Sequence, residues 1–183
     1  LEPRPEELVL PEPGPTLTGA ESLSTLTTMN ALGCLYLDAE RYDQATPLLE
    51  GVLAGRRRLL GEDDPSTLTA LNNVAELYRL QERYPEAEAL FRQTLEVEQR
   101  LIGPEHPKTL GTHNNLGLLL YEAERYDEAE PELLVALEGA RKTLGEQHPD
   151  TLDTQNTLAA LREEQGRHDE AEALYKKTLE GRR

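Results

Sequence analysis

One dipeptide returns along this chain of 183 residues with a step that never varies. Arg41-Tyr42 is followed by Arg83-Tyr84, Arg125-Tyr126 and Arg167-His168, 42 residues apart each time. Other columns keep the same step: Ala45, Ala87, Ala129 and Ala171; Leu53, Leu95, Leu137 and Leu179; Asn30, Asn72, Asn114 and Asn156. Thr-Leu recurs at 25, 67, 109 and 151, and Gly19, Gly61, Gly103 and Gly145 punctuate the joins. No insertion breaks the register. A fixed period of this size marks an architecture in which one supersecondary unit stacks on the next, because a single unit cannot cover its own apolar face.

Each period reads as two helices. Asp64-Pro65, His106-Pro107 and His148-Pro149 place a proline at the first helical position, where its missing N–H would have had no partner. Leu68, Leu71, Val74, Ala75 and Tyr78 then step by three and four along one stripe. A second helix opens at Tyr84-Pro85-Glu86, Asp127-Glu128 and Asp169-Glu170, with carboxylates favoured at the positive end of the dipole. Its stripe is Ala87, Leu90, Phe91, Leu95 and Leu101. Arg58, Arg100 and Lys142 close the second helices, and a glycine three residues on is placed for a left-handed cap. Eight helices are predicted, near 22–39, 43–60, 65–81, 85–102, 107–123, 127–144, 149–165 and 169–182. A single coiled coil is excluded, since Gly and Pro interrupt the pattern twice in each period.

Composition narrows the function. The formal charge of −16 repels phosphate backbones and anionic lipid, so neither nucleic acid nor a membrane is an expected partner. Cys34 is the only cysteine, which rules out an internal disulfide. The apolar runs, Leu116–Tyr121 among them, are far too short for a membrane span. No signal peptide is legible, and a cytoplasmic setting is expected. The chain does not begin with Met, as expected of a segment cut from a longer protein.

Leu71-Asn72-Asn73-Val74-Ala75-Glu76-Leu77-Tyr78 followed by Tyr84-Pro85-Glu86-Ala87-Glu88-Ala89-Leu90-Phe91 resembles a tetratricopeptide repeat. The small residue at Gly33, Ala75, Gly117 and Ala159 and the alanine column match that pattern's close helix contacts. The long period and the His-Pro-x-Thr-Leu starts resemble the kinesin-light-chain subtype rather than the form of about 34 residues. The resemblance covers residues 22–183 and implies an all-α, right-handed α-α superhelix, a tetratricopeptide solenoid of four helix pairs. Residues 1–19, with five prolines, read as an extended linker. The array then divides as 20–63, 64–105, 106–147 and 148–183. Unit four departs most, with Arg162 and His168 where earlier units carry apolar or tyrosine residues.

No phosphate-binding loop, zinc-protease helix, Cys-x-x-Cys or nucleophile-elbow motif is present, so no enzyme, cofactor or metal is expected. His106 and His148 read as helix-start residues, and His113 lies on the first helix of unit three. First helices line the concave face in the family that the chain resembles. The resemblance implies a peptide-binding role for Asn30, Asn72, Asn114 and Asn156, with Asn73 and Asn115 beside them. An amide can serve both N–H and C=O of a bound backbone. The same amides could instead tie helix to helix. Arg79 is the one basic residue on that face, so a clamp for a C-terminal carboxylate is not expected. Leu118 and Tyr121, flanked by acids, suit a ligand with apolar anchors and basic or neutral flanks. The triplet Arg56-Arg57-Arg58 reads as a solvated helix end. Three functions stay open: a protein- or peptide-binding scaffold, a ligand-sensing segment of a larger signalling protein, and an assembly element associating through an uncapped last helix.

Overall fold

The computed structural model describes residues 22–182, so the proline-rich stretch at 1–19 lies outside the described residues. Eight α-helices and no strand are present among them. They are α1 (Leu23–Asp38), α2 (Tyr42–Leu60), α3 (Pro65–Leu80) and α4 (Tyr84–Leu101), then α5 (Pro107–Glu122), α6 (Tyr126–Thr143), α7 (Pro149–Glu164) and α8 (His168–Gly181). Each boundary falls within one residue of the range that the periodicity predicts. The chain divides into two compact units, Leu1–Leu77 and Tyr78–Arg183, with the division inside α3.

Within the first unit α1 packs on α2. Leu26, Ala45, Leu49 and Val52 are buried there, each large side chain contributing about 1.5–3 kcal/mol on leaving water. Glycines set the approach: a Cβ at Gly33 would stand 2.6 Å from Leu49, and one at Gly55 would stand 2.7 Å from Leu26. Arg56, read from sequence as part of a solvated end, is buried instead, and its Nη1 donates to the Ser66 carbonyl at 2.8 Å. Arg58, two residues on, is exposed. Two steps of the helix, about 200° in all, separate a guanidinium in the fold from one in solvent.

In the second unit every helix packs on its neighbours in sequence, and the first helices α5 and α7 also touch. Ala87, Phe91, Ala129 and Leu133 are fully buried. Leu101, assigned to the buried stripe by spacing, is half exposed, because it is the last residue of α4.

The turns inside the helix pairs share one construction. Arg41 N–H reaches the Tyr36 carbonyl and Glu40 N–H the Leu37 carbonyl, the two bonds of a Schellman motif. The pattern repeats at Arg83, Arg125 and Arg167. The residue that must turn left-handed is Glu40, Glu82 or Glu124, at φ of 57–59°, and Gly166 in the last pair. Glycines Gly61, Gly103 and Gly145 have positive φ as the spacing suggested, at 90–98°. Gly61 combines this with ψ of 173°, an extended positive-φ conformation open essentially to glycine alone. It is therefore not the ordinary left-handed cap.

Candidate functional site

The sequence-derived candidates fall on first helices, and each unit treats them differently. In α5, Leu110, Leu116, Leu119 and Leu120 turn inward, leaving Gly111, Asn115, Leu118 and Tyr121 on the opposite strip. In α7 the corresponding outward positions are Asp153, Thr157, Ala160 and Glu163. Leu118 and Tyr121 are half-buried. The Tyr121 ring lies 5.8 Å from that of Tyr126, tilted by 44°. Burial, and then Glu164, Glu163 and Glu122, push the Tyr121 phenol above its ordinary pKa. The two rings thus form an apolar floor bordered by carboxylates. Arg79 is committed to Glu122 and is largely buried in that ion pair.

The amides divide. Asn114 Oδ1 accepts from Thr154 Oγ1 at 2.8 Å, tying α5 to α7. Asn115 and Asn156 make no hydrogen bond among the described residues, and Asn156 is exposed. In the first unit, Asn73 Nδ2 donates to Asn30 Oδ1 at 2.9 Å and to Cys34 Sγ at 3.5 Å. Asn30 also approaches Cys34 Sγ at 3.8 Å. Asn72 is half-buried beside them. Burial first, and Asp38 second, push the Cys34 thiol up.

The histidines explain themselves locally. His106 Nδ1 accepts the Lys108 N–H at 3.2 Å and His148 Nδ1 the Asp150 N–H at 3.3 Å, each capping a helix start. Asp64 does the same for Ser66 at 2.8 Å. His113 turns inward and meets Glu132 Oε2 at 2.6 Å, with Gln99 at 3.2 Å on its other nitrogen. No group of three or more metal-ligating side chains occurs among the described residues. None of their helices is long and apolar enough to cross a membrane.

One recurring contact carries a sequence signal, a fixed Glu-to-Arg spacing, that motif searching passes over. Arg125 reaches Glu88 at 2.5 Å and Arg167 reaches Glu130 at 2.8 Å, so the arginine of one period grips a carboxylate 37 residues earlier. Each also pairs with its own helix, at Glu128 and Glu170. The earlier arginines lie over aromatic rings: Arg41 over Tyr36 at 4.6 Å and Arg83 over Tyr78 at 3.8 Å. Leu120 and Arg162 take the tyrosine column later, where the ion pairs do the holding.

The tetratricopeptide repeat family model matches residues 24–97, 66–138 and 109–183. No curated protein sequence matches the chain. Among solved structures it is similar to a kinesin light chain of nearly identical TPR-like repeats from Podosopora anserina. There the TM-score is 0.74 at 25% identity, over 90% of this chain and 78% of that one. It is also similar to BtubC (BKLC) from P. vanneervenii, with a TM-score of 0.76 at 21% identity over 87% of this chain and 63% of that one. The apo form of RapI matches with a TM-score of 0.74 at 18% identity, over 85% of this chain and 55% of that one. The helix pairs, their 42-residue step and these matches together make the chain a member of the tetratricopeptide repeat family, built of kinesin-light-chain-like repeats.

Proposed function

We propose that the chain is a non-catalytic binding module that takes an extended protein segment across the first-helix strip of the Tyr78–Arg183 unit. The observation that carries this reading is the half-exposed pair Leu118 and Tyr121, set beside Asn115, whose amide has no partner among the described residues. Glu122, Glu163 and Glu164 border the same ring. The preferred segment offers one apolar side chain to Leu118 and Tyr121, a backbone amide to Asn115, and Lys or Arg on its flanks. The amides Asn30, Asn73 and Asn114 act as helix ties in this scheme, with Asn72 on the same row. Arg79 braces Glu122, and Asn156 extends the polar row.

Panning a peptide library against the purified chain tests this. Selected peptides should share an apolar anchor with basic flanks. Asn115→Ala with Tyr121→Ala should weaken their binding about tenfold or more, since each lost contact is worth roughly 0.5–1.5 kcal/mol. Asn73→Ala should leave affinity unchanged while lowering stability by about 0.5–1.5 kcal/mol. Unaltered affinity in the Asn115/Tyr121 variant would place the ligand surface elsewhere.

A further inference from the structure

The strip of Leu118 and Tyr121 breaks the repeat at one charge. One period before Tyr121 the same column holds Arg79, and the columns of Tyr126 and Glu164 hold Tyr84 and Glu122. There the chain supplies its own cation. Arg79 is ion-paired with Glu122 and largely buried. It also acts on the neighbouring ring: burial, then Glu122 and Glu82, push the Tyr84 phenol up, and Arg79 opposes them. In the next period the ring and the carboxylate are kept and the arginine is not.

Tyr121, which stands in the arginine's column, adds a second ring instead. The Tyr121 and Tyr126 centroids are 5.8 Å apart with their planes at 44°, so the two rings meet at the turn from α5 into α6. Burial, then Glu164, Glu124 and Tyr121, push the Tyr126 phenol up, with no arginine opposing them. Glu163 is occupied by the Tyr175 hydroxyl at 3.1 Å. Glu164 is exposed and has no ion pair or hydrogen bond among the described residues. Elsewhere the chain covers a tyrosine with its own arginine, Arg41 over Tyr36 at 4.6 Å and Arg83 over Tyr78 at 3.8 Å. No cation covers Tyr121 or Tyr126 among the described residues. Two rings and an unpaired carboxylate are left where the preceding period has a guanidinium.

We propose that the bound segment supplies the missing cation: one of its arginine side chains lies against Tyr121 and Tyr126 and pairs with Glu164. The inference rests on the reading that a segment crosses this strip, and it adds which basic flank is recognised and by what. Arginine fits better than lysine, because a planar, weakly hydrated guanidinium can stack on a ring while it donates to a carboxylate. The apolar anchor keeps the Leu118 edge of Tyr121, and the guanidinium takes the Tyr126 edge.

Peptides selected on the purified chain test the slot by calorimetry, with their arginine replaced by lysine or by citrulline, its neutral isostere. The citrulline form should bind about tenfold more weakly than the arginine form, since ring contact and ion pair are both lost. The lysine form should fall between them. Glu164→Gln and Tyr126→Leu should each weaken the arginine peptide about two- to fivefold and shrink its advantage over citrulline. Glu164 is exposed, so Glu164→Gln should keep its helix content in circular dichroism and decides the matter even if Tyr126→Leu unfolds. Peptides that lose affinity in the Asn115/Tyr121 variant yet bind alike with arginine or citrulline overturn this inference and leave the reading of the strip intact. So do selected peptides without an arginine. Should no peptide be selected, that reading fails, and Nα-acetyl-arginine methylamide decides the slot alone. It should shift the NMR signals of the Tyr121 and Tyr126 rings in tyrosine-labelled chain, and shift them less in Glu164→Gln. Rings unmoved at about 100 mM overturn the proposal.

Discussion

The first and third helix pairs share a backbone plan and differ in what fills it. In the Leu1–Leu77 unit, Met29 and Leu48 occupy the columns that His113 and Glu132 occupy in the Tyr78–Arg183 unit. Arg56 stands where the later unit has Glu98, and Ala70 where it has Thr112. The later unit accordingly holds polar pairs inside: Thr112 Oγ1 donates to Glu98 at 2.7 Å, and His113 meets Glu132 at 2.6 Å. Further along, Arg141 donates to the Gln155 amide oxygen at 2.7 Å while Gln155 donates to Thr178 at 3.0 Å. Small residues at the helix crossings are held fixed by the backbone's approach. Other buried positions change chemistry freely if they change in satisfied pairs.

The sharpest way to break this comparison is to enlarge the shared column. Ala45 and Ala129 are both fully buried, one in each unit. Ala45→Leu and Ala129→Leu should each cost about 1–3 kcal/mol through overpacking. Urea midpoints check this, and an effect in only one unit would mean that the crossing is not common to both.

A smaller effect probes the exchanged columns. His113→Leu leaves Glu132 without its partner and should cost about 1–3 kcal/mol. Adding Glu132→Leu restores the apolar character of the first pair and should recover most of that loss, as replacing a buried polar pair often does. A double-mutant cycle in urea measures the coupling, and additive losses would show that the two side chains do not act together.

The subtlest expectation concerns acid. Burial, opposed mainly by the Thr112 hydrogen bond, holds the Glu98 carboxyl above its ordinary pKa. A raised carboxyl pKa means that the folded state binds the proton more tightly, so this group lowers stability as pH rises from the unfolded to the folded pKa. Glu88 has the opposite sign: against the burial that would raise it, hydrogen bonds from Arg125 and Arg92 bring its pKa down. Its contribution is present above the unfolded pKa and is lost as pH falls through the folded one. Glu98→Gln, which can still accept from Thr112, should therefore stabilise the chain at neutral pH and lose that advantage in acid. Thermal melts from about pH 3 to 7 across the carboxylate range follow it. A constant difference at all pH would show that the carboxyl's charge is not what burial penalises.

The helices, their number, their ends and the positions where two of them come closest are all legible in the amino-acid order. Period, proline and small-residue columns are local or repeated signals, and the backbone has few ways to satisfy them. His106 and His148 are legible as helix starts for the same reason, because a proline directly after them fixes their place. Which polar residues face inward was settled by packing instead. Arg56 and Arg58 are two steps apart in a basic run, yet one is buried and the other is in solvent. Asn73 and Asn115 share a column, yet one amide is bonded to Asn30 and Cys34 while the other is left open among the described residues. A side chain's partner lies one period away or on the facing helix, and its identity depends on what that second position carries. Repeating columns reveal where a residue sits. They do not reveal whether the residue opposite can satisfy it.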